Sequence, residues 1–132
     1  MNISPTTYLG RKGWLIDNGA LSLTVMQGGG HIASLTRHNK PTVNPFWKPV
    51  WPTMEPWAYD VKRHKAKYEL KLLSSILGHN VCHGWFGDPS EAEAKAGLEV
   101  HGEAPVARWK LLKKKVTKSG VSMTCACELP IS

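Results

Sequence analysis

No apolar run in this chain approaches the ~18 residues that a membrane-spanning helix needs. The start, Met1-Asn2-Ile3-Ser4-Pro5, lacks the basic residues and apolar stretch of a secretory leader, so none is expected. Cysteine is scarce and odd in number: three residues do not make a disulfide framework. Reduced thiols and a cytoplasmic location are therefore the expectation. Acidic residues are few, 10 against 17 lysines and arginines, which leaves a formal net charge of +7. Gly28-Gly29-Gly30 lacks the Lys-Ser/Thr ending and following helix of a phosphate loop, so it reads as a bend or bulge between strands.

What is present suits a folded chain. The hydrophobic fraction is 42% and the charged fraction 20%, and 132 residues fit one domain with a real core. Leu21, Leu23 and Val25 alternate with Ser22, Thr24 and Met26, the period of a half-buried strand. Asp17-Asn18-Gly19 marks a turn ahead of it. A second strand runs from His31 to Thr36 and closes at Arg37-His38-Asn39-Lys40-Pro41. The tail predicts two more strands, Trp109 to Thr117 and Val121 to Leu129, joined at Ser119-Gly120. In the last strand Val121, Met123, Cys125, Cys127 and Leu129 share the face expected to be core. The fold class is thus mostly β with antiparallel strands.

One short helix is expected, from Pro89 to Ala96. Asp88 reads as its cap, Pro89 as its first residue, Glu91 as the capping-box partner and Gly97 as its stop. Between the two strand regions, Pro41, Pro45, Pro49, Pro52 and Pro56 interleave with Phe46, Trp47, Trp51, Trp57 and Tyr59. Proline lacks a ladder donor, so this is a long aromatic loop that either packs on the sheet or lines a pocket.

The chemistry-bearing residues cluster between Gly78 and Trp109. His79, Cys82, His83, His101, Cys125 and Cys127 could ligate zinc, but their spacing matches no common finger or ribbon, and no metal site is assigned. Nothing local marks Cys82 as an activated nucleophile. His79, Asn80, His101 and Glu103 remain. Such groups either satisfy loop backbone or hydrogen-bond a polyhydroxylated ligand, and a histidine is available for proton transfer near neutral pH.

A Gly78-His79-Asn80 element, then His101-Gly102 with Trp109 downstream, after a strand-rich beginning, resembles the galactose-mutarotase-like (aldose 1-epimerase) superfamily. The stretch from Trp51 to Trp109 is similar to a bacterial branch of it. The match departs from the family where a Gly-Arg-x-x-Asn-Arg sugar-binding segment is expected: no arginine stands there, and His79 and Asn80 take its place. The resemblance implies part of an antiparallel β-sandwich, a sugar ligand, acid/base interconversion of anomers at C1, and no metal or organic cofactor. It implies His101 as sugar contact and candidate catalytic group, with His79 and Asn80 also binding substrate; Glu103 of the polar cluster and Trp57 of the aromatic loop complete the candidate substrate-binding set. The family's catalytic glutamate and second histidine lie further along the chain. After Trp109 this sequence holds no histidine, and Glu128 is its one carboxylate side chain. The resemblance thus implies that residues 1–132 correspond to the family's N-terminal, recognition portion.

Two other partner classes are compatible with the sequence. A small basic β-protein could bind nucleic acid through Lys110 to Lys118 and exposed tryptophans, a reading the resemblance disfavours. A structural subunit could pair with a second copy, or a complementing chain, through open sheet edges. No membrane partner is expected.

Overall fold

The computed structural model describes residues 1–132. Four strands, β1 (Asn2–Tyr8), β2 (Arg11–Asp17), β3 (Leu21–Met26) and β4 (Ile32–Arg37), form an antiparallel sheet in the order β1-β2-β3-β4. Each pair is a hairpin, as the short spacings require. Tyr8 faces Arg11 across a two-residue turn in which Leu9 and Gly10 both have positive φ, the geometry that matches strand twist. At the next turn the Asp17 carboxylate accepts from Gly19 N–H at 2.7 Å, and Asn18 Oδ1 accepts from Ala20 and Leu21 N–H groups. A bulge at Thr24/Val25 precedes the glycine break between β3 and β4.

A second sheet is the hairpin β5 (Lys110–Thr117) and β6 (Gly120–Ala126), which packs against β1 and β2. The chain is β-rich and antiparallel. Residues 41–55 contain no strand. Their aromatics dock on the helical segment that follows: the Trp51 indole donates to Leu73 O at 3.0 Å, and the Tyr68 hydroxyl to Pro52 O at 2.8 Å. No helix is long and apolar enough to cross a membrane.

Three sequence expectations are corrected. There are three short α-helices, not one: α1 (Val61–Tyr68), α2 (Lys71–Ser75) and α3 (Glu91–Lys95). Helix α1 coincides with the basic run Lys62 to Lys67 and is capped by Asp60, whose carboxylate accepts from Arg63 N–H at 3.0 Å. Helix α3 starts later than expected. Ser90, not Asp88, is its cap, and Ser90 and Glu93 form a reciprocal capping box. The β6 face is the third correction. Val121, Met123, Cys125, Cys127 and Leu129 are only half-buried, and the strand ends at Ala126, short of Cys127 and Leu129.

The core lies elsewhere and is small. Met26, Ala33 and Leu77 are almost fully buried, with Tyr8 packed against them. Beside them sits a buried polar group that joins the sheet to the helical segment. Arg11 is 2% exposed; its guanidinium donates to Ser75 O at 2.5 Å and to Gly28 O at 3.0 Å. Its Nε lies 3.5 Å from Glu55 Oε2, a charge contact longer than a good hydrogen bond. Burial lowers the Arg11 pKa, opposed by the Glu55 carboxylate.

His31 is fully buried next to this group, with Nε2 2.9 Å from Pro105 O. The carbonyl only accepts, so Nε2 carries the proton. Burial, with Arg11 adding repulsion, pushes the His31 pKa from 6.5 down to about 4. The unfolded chain therefore takes up this proton first as pH falls. Stability is full above pH 6.5 and is lost between about 6.5 and 4. The difference corresponds to about 3 kcal/mol. Urea midpoints should fall more steeply on acidification in the wild type than in His31→Gln. An NMR titration of the His31 ring reads the same quantity directly, and a midpoint near 6.5 would remove the argument.

Candidate functional site

Apart from Trp57, the predicted residues come from two loops, 76–87 and 97–109, that lean on each other and on the glycine break. Gly78 starts the first. Its φ is +60°, and a Cβ there would lie 1.9 Å from Ile32 O, so no side chain fits. This close approach lets His79 pair with the first residue of β4: Ile32 N–H donates to His79 O at 2.8 Å, and His79 N–H to Ile32 O at 3.0 Å. The His79 side chain is exposed and that of Asn80 half-buried. Both sit against the outer edge of β4, which the His79 backbone covers at Ile32.

His101 and Gly102 form a turn with φ of 64° and 79°. Gly102 is required there, since a Cβ would lie 2.3 Å from His83 O. The turn clamps the other loop: His101 N–H donates to Gly87 O at 3.0 Å, and His83 N–H to His101 O at 3.3 Å. The imidazole is fixed as well. Gly87 N–H donates to His101 Nδ1 at 3.2 Å, and Cys82 Sγ lies 3.4 Å from the same nitrogen. A backbone N–H only donates, so Nδ1 accepts and Nε2 carries the proton of the neutral ring. The Phe86 ring, 87% exposed, sits 4.6 Å from the imidazole, centroid to centroid. His101 is thus a held N–H donor beside an exposed aromatic surface.

Glu103 is placed differently. Its carboxylate accepts from Ile131 N–H at 3.2 Å, from Ser132 N–H at 2.7 Å and from the Ser132 hydroxyl at 2.6 Å. Burial would raise its pKa, but the donors from Ser132 and Ile131, with His83 nearby, leave it below the ordinary value. It is a tied, ionised acceptor. Glu103 and Gly102 line a pocket of about 410 Å³ together with Lys71, Glu99, Arg108 and Lys110. Trp57, in a 3-10 turn over Pro56–Ala58, is 44% exposed and carries the Arg108 guanidinium over its ring at 4.7 Å.

The structure therefore divides the predicted set. His101 and Glu103 flank one glycine but address different surroundings. His79 and Asn80 lie at the β4 edge, and Trp57 reaches the pocket through Arg108. The thiols and imidazoles do not converge into a group of three or more that could hold a metal. Sequence reasoning missed Phe86, Arg108 and Lys71. Phe86 has a visible signal, an aromatic inside the Gly84–Gly87 loop; lone cations such as Arg108 have none. No protein-family model matches the chain, and no curated protein or solved structure shows significant similarity to it.

Proposed function

We propose that this chain carries the sugar-contacting part of a galactose-mutarotase-like protein, its strands forming part of a larger β-sandwich. The carrying observation is the His101 side chain. Gly87 N–H occupies Nδ1, Nε2–H is left as a donor, and the exposed Phe86 ring lies alongside. A fixed donor next to an aromatic face suits a pyranose, which offers hydroxyl and ring oxygens at its rim and C–H groups on its faces. The free side chains of His79 and Asn80 are the further polar groups this reading assigns to the ligand. Its chemistry is interconversion of anomers by acid/base groups, with no metal or organic cofactor.

Two general features support the larger assembly. The solvent-accessible surface is 8192 Å², whereas a compact monomer of 14.6 kDa exposes about 6,900 Å². The β4 edge is met by the His79 backbone at Ile32 and by the Asn44 side chain at Ala33 and Leu35, whereas the outer edge of β1 and those of the β5–β6 hairpin have no partner strand. Such edges favour pairing with a second copy or a complementing chain. Three unpaired cysteines support a reducing, cytoplasmic setting.

Chemical-shift titration with glucose and galactose tests the reading. His101→Ala should weaken binding by about 1–3 kcal/mol, the effect of removing a donor from a desolvated acceptor. Binding should be nearly indifferent to salt, unlike phosphate-backbone binding, which falls steeply. Equal affinity in wild type and His101→Ala would remove His101 from the site.

A further inference from the structure

The two sheets end in four edges, and three of them are guarded. β1 carries Pro5, which has no N–H to offer a neighbour. β4 is met by the His79 backbone at Ile32 and by the Asn44 side chain at Ala33 and Leu35. β5 bears Lys110, Lys113, Lys114 and Lys115, which oppose edge-to-edge pairing by charge. β6 has none of these devices. From Gly120 to Ala126 it holds no charge and no proline, and its backbone bonds only to β5. An uncharged strand with a free row of donors and acceptors is a template for another strand.

An apolar surface lies beside that edge. Ile3, Ile16, Leu23 and Leu35 pair in one row across β1 to β4 and so share a face of the sheet, with Trp14 and Leu21 on the same side. Burial falls along this face. Ile3 and Trp14 are 5% and 6% exposed, Leu23 and Leu35 are half-buried, and Leu21 is 38% exposed. The hairpin accounts for the gradient: β5 lies against β1, and β6 against β1 and β2. β6 is thus the inner strand, and its free edge looks toward β3 and β4. There Leu21, Leu35, Val43 and Pro45 line an open hollow of about 370 Å³, with Arg37 and Lys40 at its rim. The ion pairs of the chain leave both rim cations free.

We infer that β6 takes up a strand from a different polypeptide, and that this strand covers the β3–β4 face. The partner is an extended segment, apolar at every second residue, with a carboxylate to meet Arg37 and Lys40. The inference rests on the larger-assembly part of the reading above, names its surface and partner, and uses no sugar contact. Backbone bonds to β6 hold the segment, and its apolar side chains fill the hollow. The charges argue against a second copy. Each chain carries +7, and pairing β6 with β6 would bring a second lysine-rich β5 toward Arg37 and Lys40.

The probe is a short synthetic peptide of alternating valine and threonine with glutamates at both ends, titrated into the full chain and followed by NMR shifts and fluorescence anisotropy. Control peptides carry lysines at both ends, or a central proline. The glutamate peptide should bind, with its largest shifts at the amides of 121–126 and the methyls of Leu21 and Leu35. The lysine peptide should bind about tenfold or more weakly, and so should the glutamate peptide to the double variant Arg37→Gln with Lys40→Gln. Lys113→Gln removes a charge from exposed β5, outside the hollow, and should bind as the wild type does. The proline peptide should not bind, because it breaks the ladder. Equal affinity for the proline peptide, or shifts centred on β1 or β5, overturns the inference. Equal losses in Lys113→Gln and the double variant overturn it too, by assigning the preference to net charge. Sedimentation of the chain alone supplies the other outcomes. A dimer with protected β6 amides gives the edge to a second copy and overturns the inference. A dimer through β1 or β5 that ignores the peptide overturns it and leaves the larger-assembly reading standing. A monomer that binds no strand overturns both, and none of these results touches the sugar titration at His101.

Discussion

Arg11→Ala should cost about 3–5 kcal/mol, the largest stability loss of any single substitution outside the apolar core. Arg11 is 2% exposed and answers three groups at once: Ser75 O, Gly28 O and the Glu55 carboxylate. Glu55 Oε1 keeps its bond from Lys12 N–H at 2.8 Å, but Oε2 is buried and would face no positive charge. Two carbonyls would lose their donors as well. An uncompensated buried charge is worse than no ion pair at all. Total stabilities of small domains are about 5–15 kcal/mol, so the variant stands near unfolding. A second variant keeps the test decisive if it does not fold. Arg11→Met with Glu55→Gln removes both charges while filling similar space, and it should recover a substantial part of the loss. Urea midpoints measure both. A loss below about 1 kcal/mol in Arg11→Ala, or no recovery in the double variant, would show that the cluster does not tie the sheet to α2.

That cluster was not legible in the sequence, for a physical reason. Arg11 and Glu55 are 44 residues apart, one next to a turn and the other inside a proline-rich loop. A charged residue defaults to the surface, and only the tertiary fold shows that these two are desolvated together. The alternation over Leu21 to Met26 gave the strand, but not which side is covered: Thr24 and Met26 are the buried residues of β3, while Leu21 is exposed and Leu23 and Val25 are half-buried. Over Val121 to Leu129 the alternation gave the more shielded face but not its depth, since these residues are only half-buried. Helix α1 escaped because its residues are mostly charged and its apolar stripe is short. The α3 cap shifted because two signals overlap. Asp88-Pro89 and Ser90-x-x-Glu93 both start helices, and the reciprocal capping box satisfies two backbone donors where a lone aspartate satisfies one.

Within the site, glycine was the useful signal. Gly78 and Gly102 each sit where backbone carbonyls of another segment leave no room for a side chain, so the elements built on them are fixed in position. The partners of those elements were not readable. Nothing in the spacing says that Gly87 N–H and Cys82 meet His101 Nδ1, and that contact decides which nitrogen of the imidazole is the donor.

The same tautomer bears on catalysis. This chain alone should not accelerate mutarotation to an enzyme-like rate. Anomer interconversion needs a base at the anomeric hydroxyl and an acid at the ring oxygen, acting from different sides of the reacting centre. His101 offers one group, an Nε2–H donor. To act as a base through Nδ1 it would first have to break its bond from Gly87. Glu103 is the nearest carboxylate in sequence, and its position argues against that duty. It accepts from Ile131 and Ser132, and these bonds keep its basicity below that of an ordinary glutamate. A base with a lowered pKa is ionised but draws a proton weakly. Glu99 and Glu128 are each paired with a lysine. On the proposed reading the acid/base pair would be a histidine and a glutamate downstream of Trp109, and residues 110–132 hold no histidine. Positioned acid and base groups contribute about 10²–10⁴-fold each, so lacking a competent pair leaves a rate close to the spontaneous one. Polarimetry on freshly dissolved α-glucose and α-galactose reads this rate, with sedimentation on the same sample to establish whether the protein is monomeric. Binding without acceleration is the expected result. A monomer that speeds mutarotation by several orders of magnitude would show that His101 and Glu103 suffice, and that the division between recognition and catalysis is wrong.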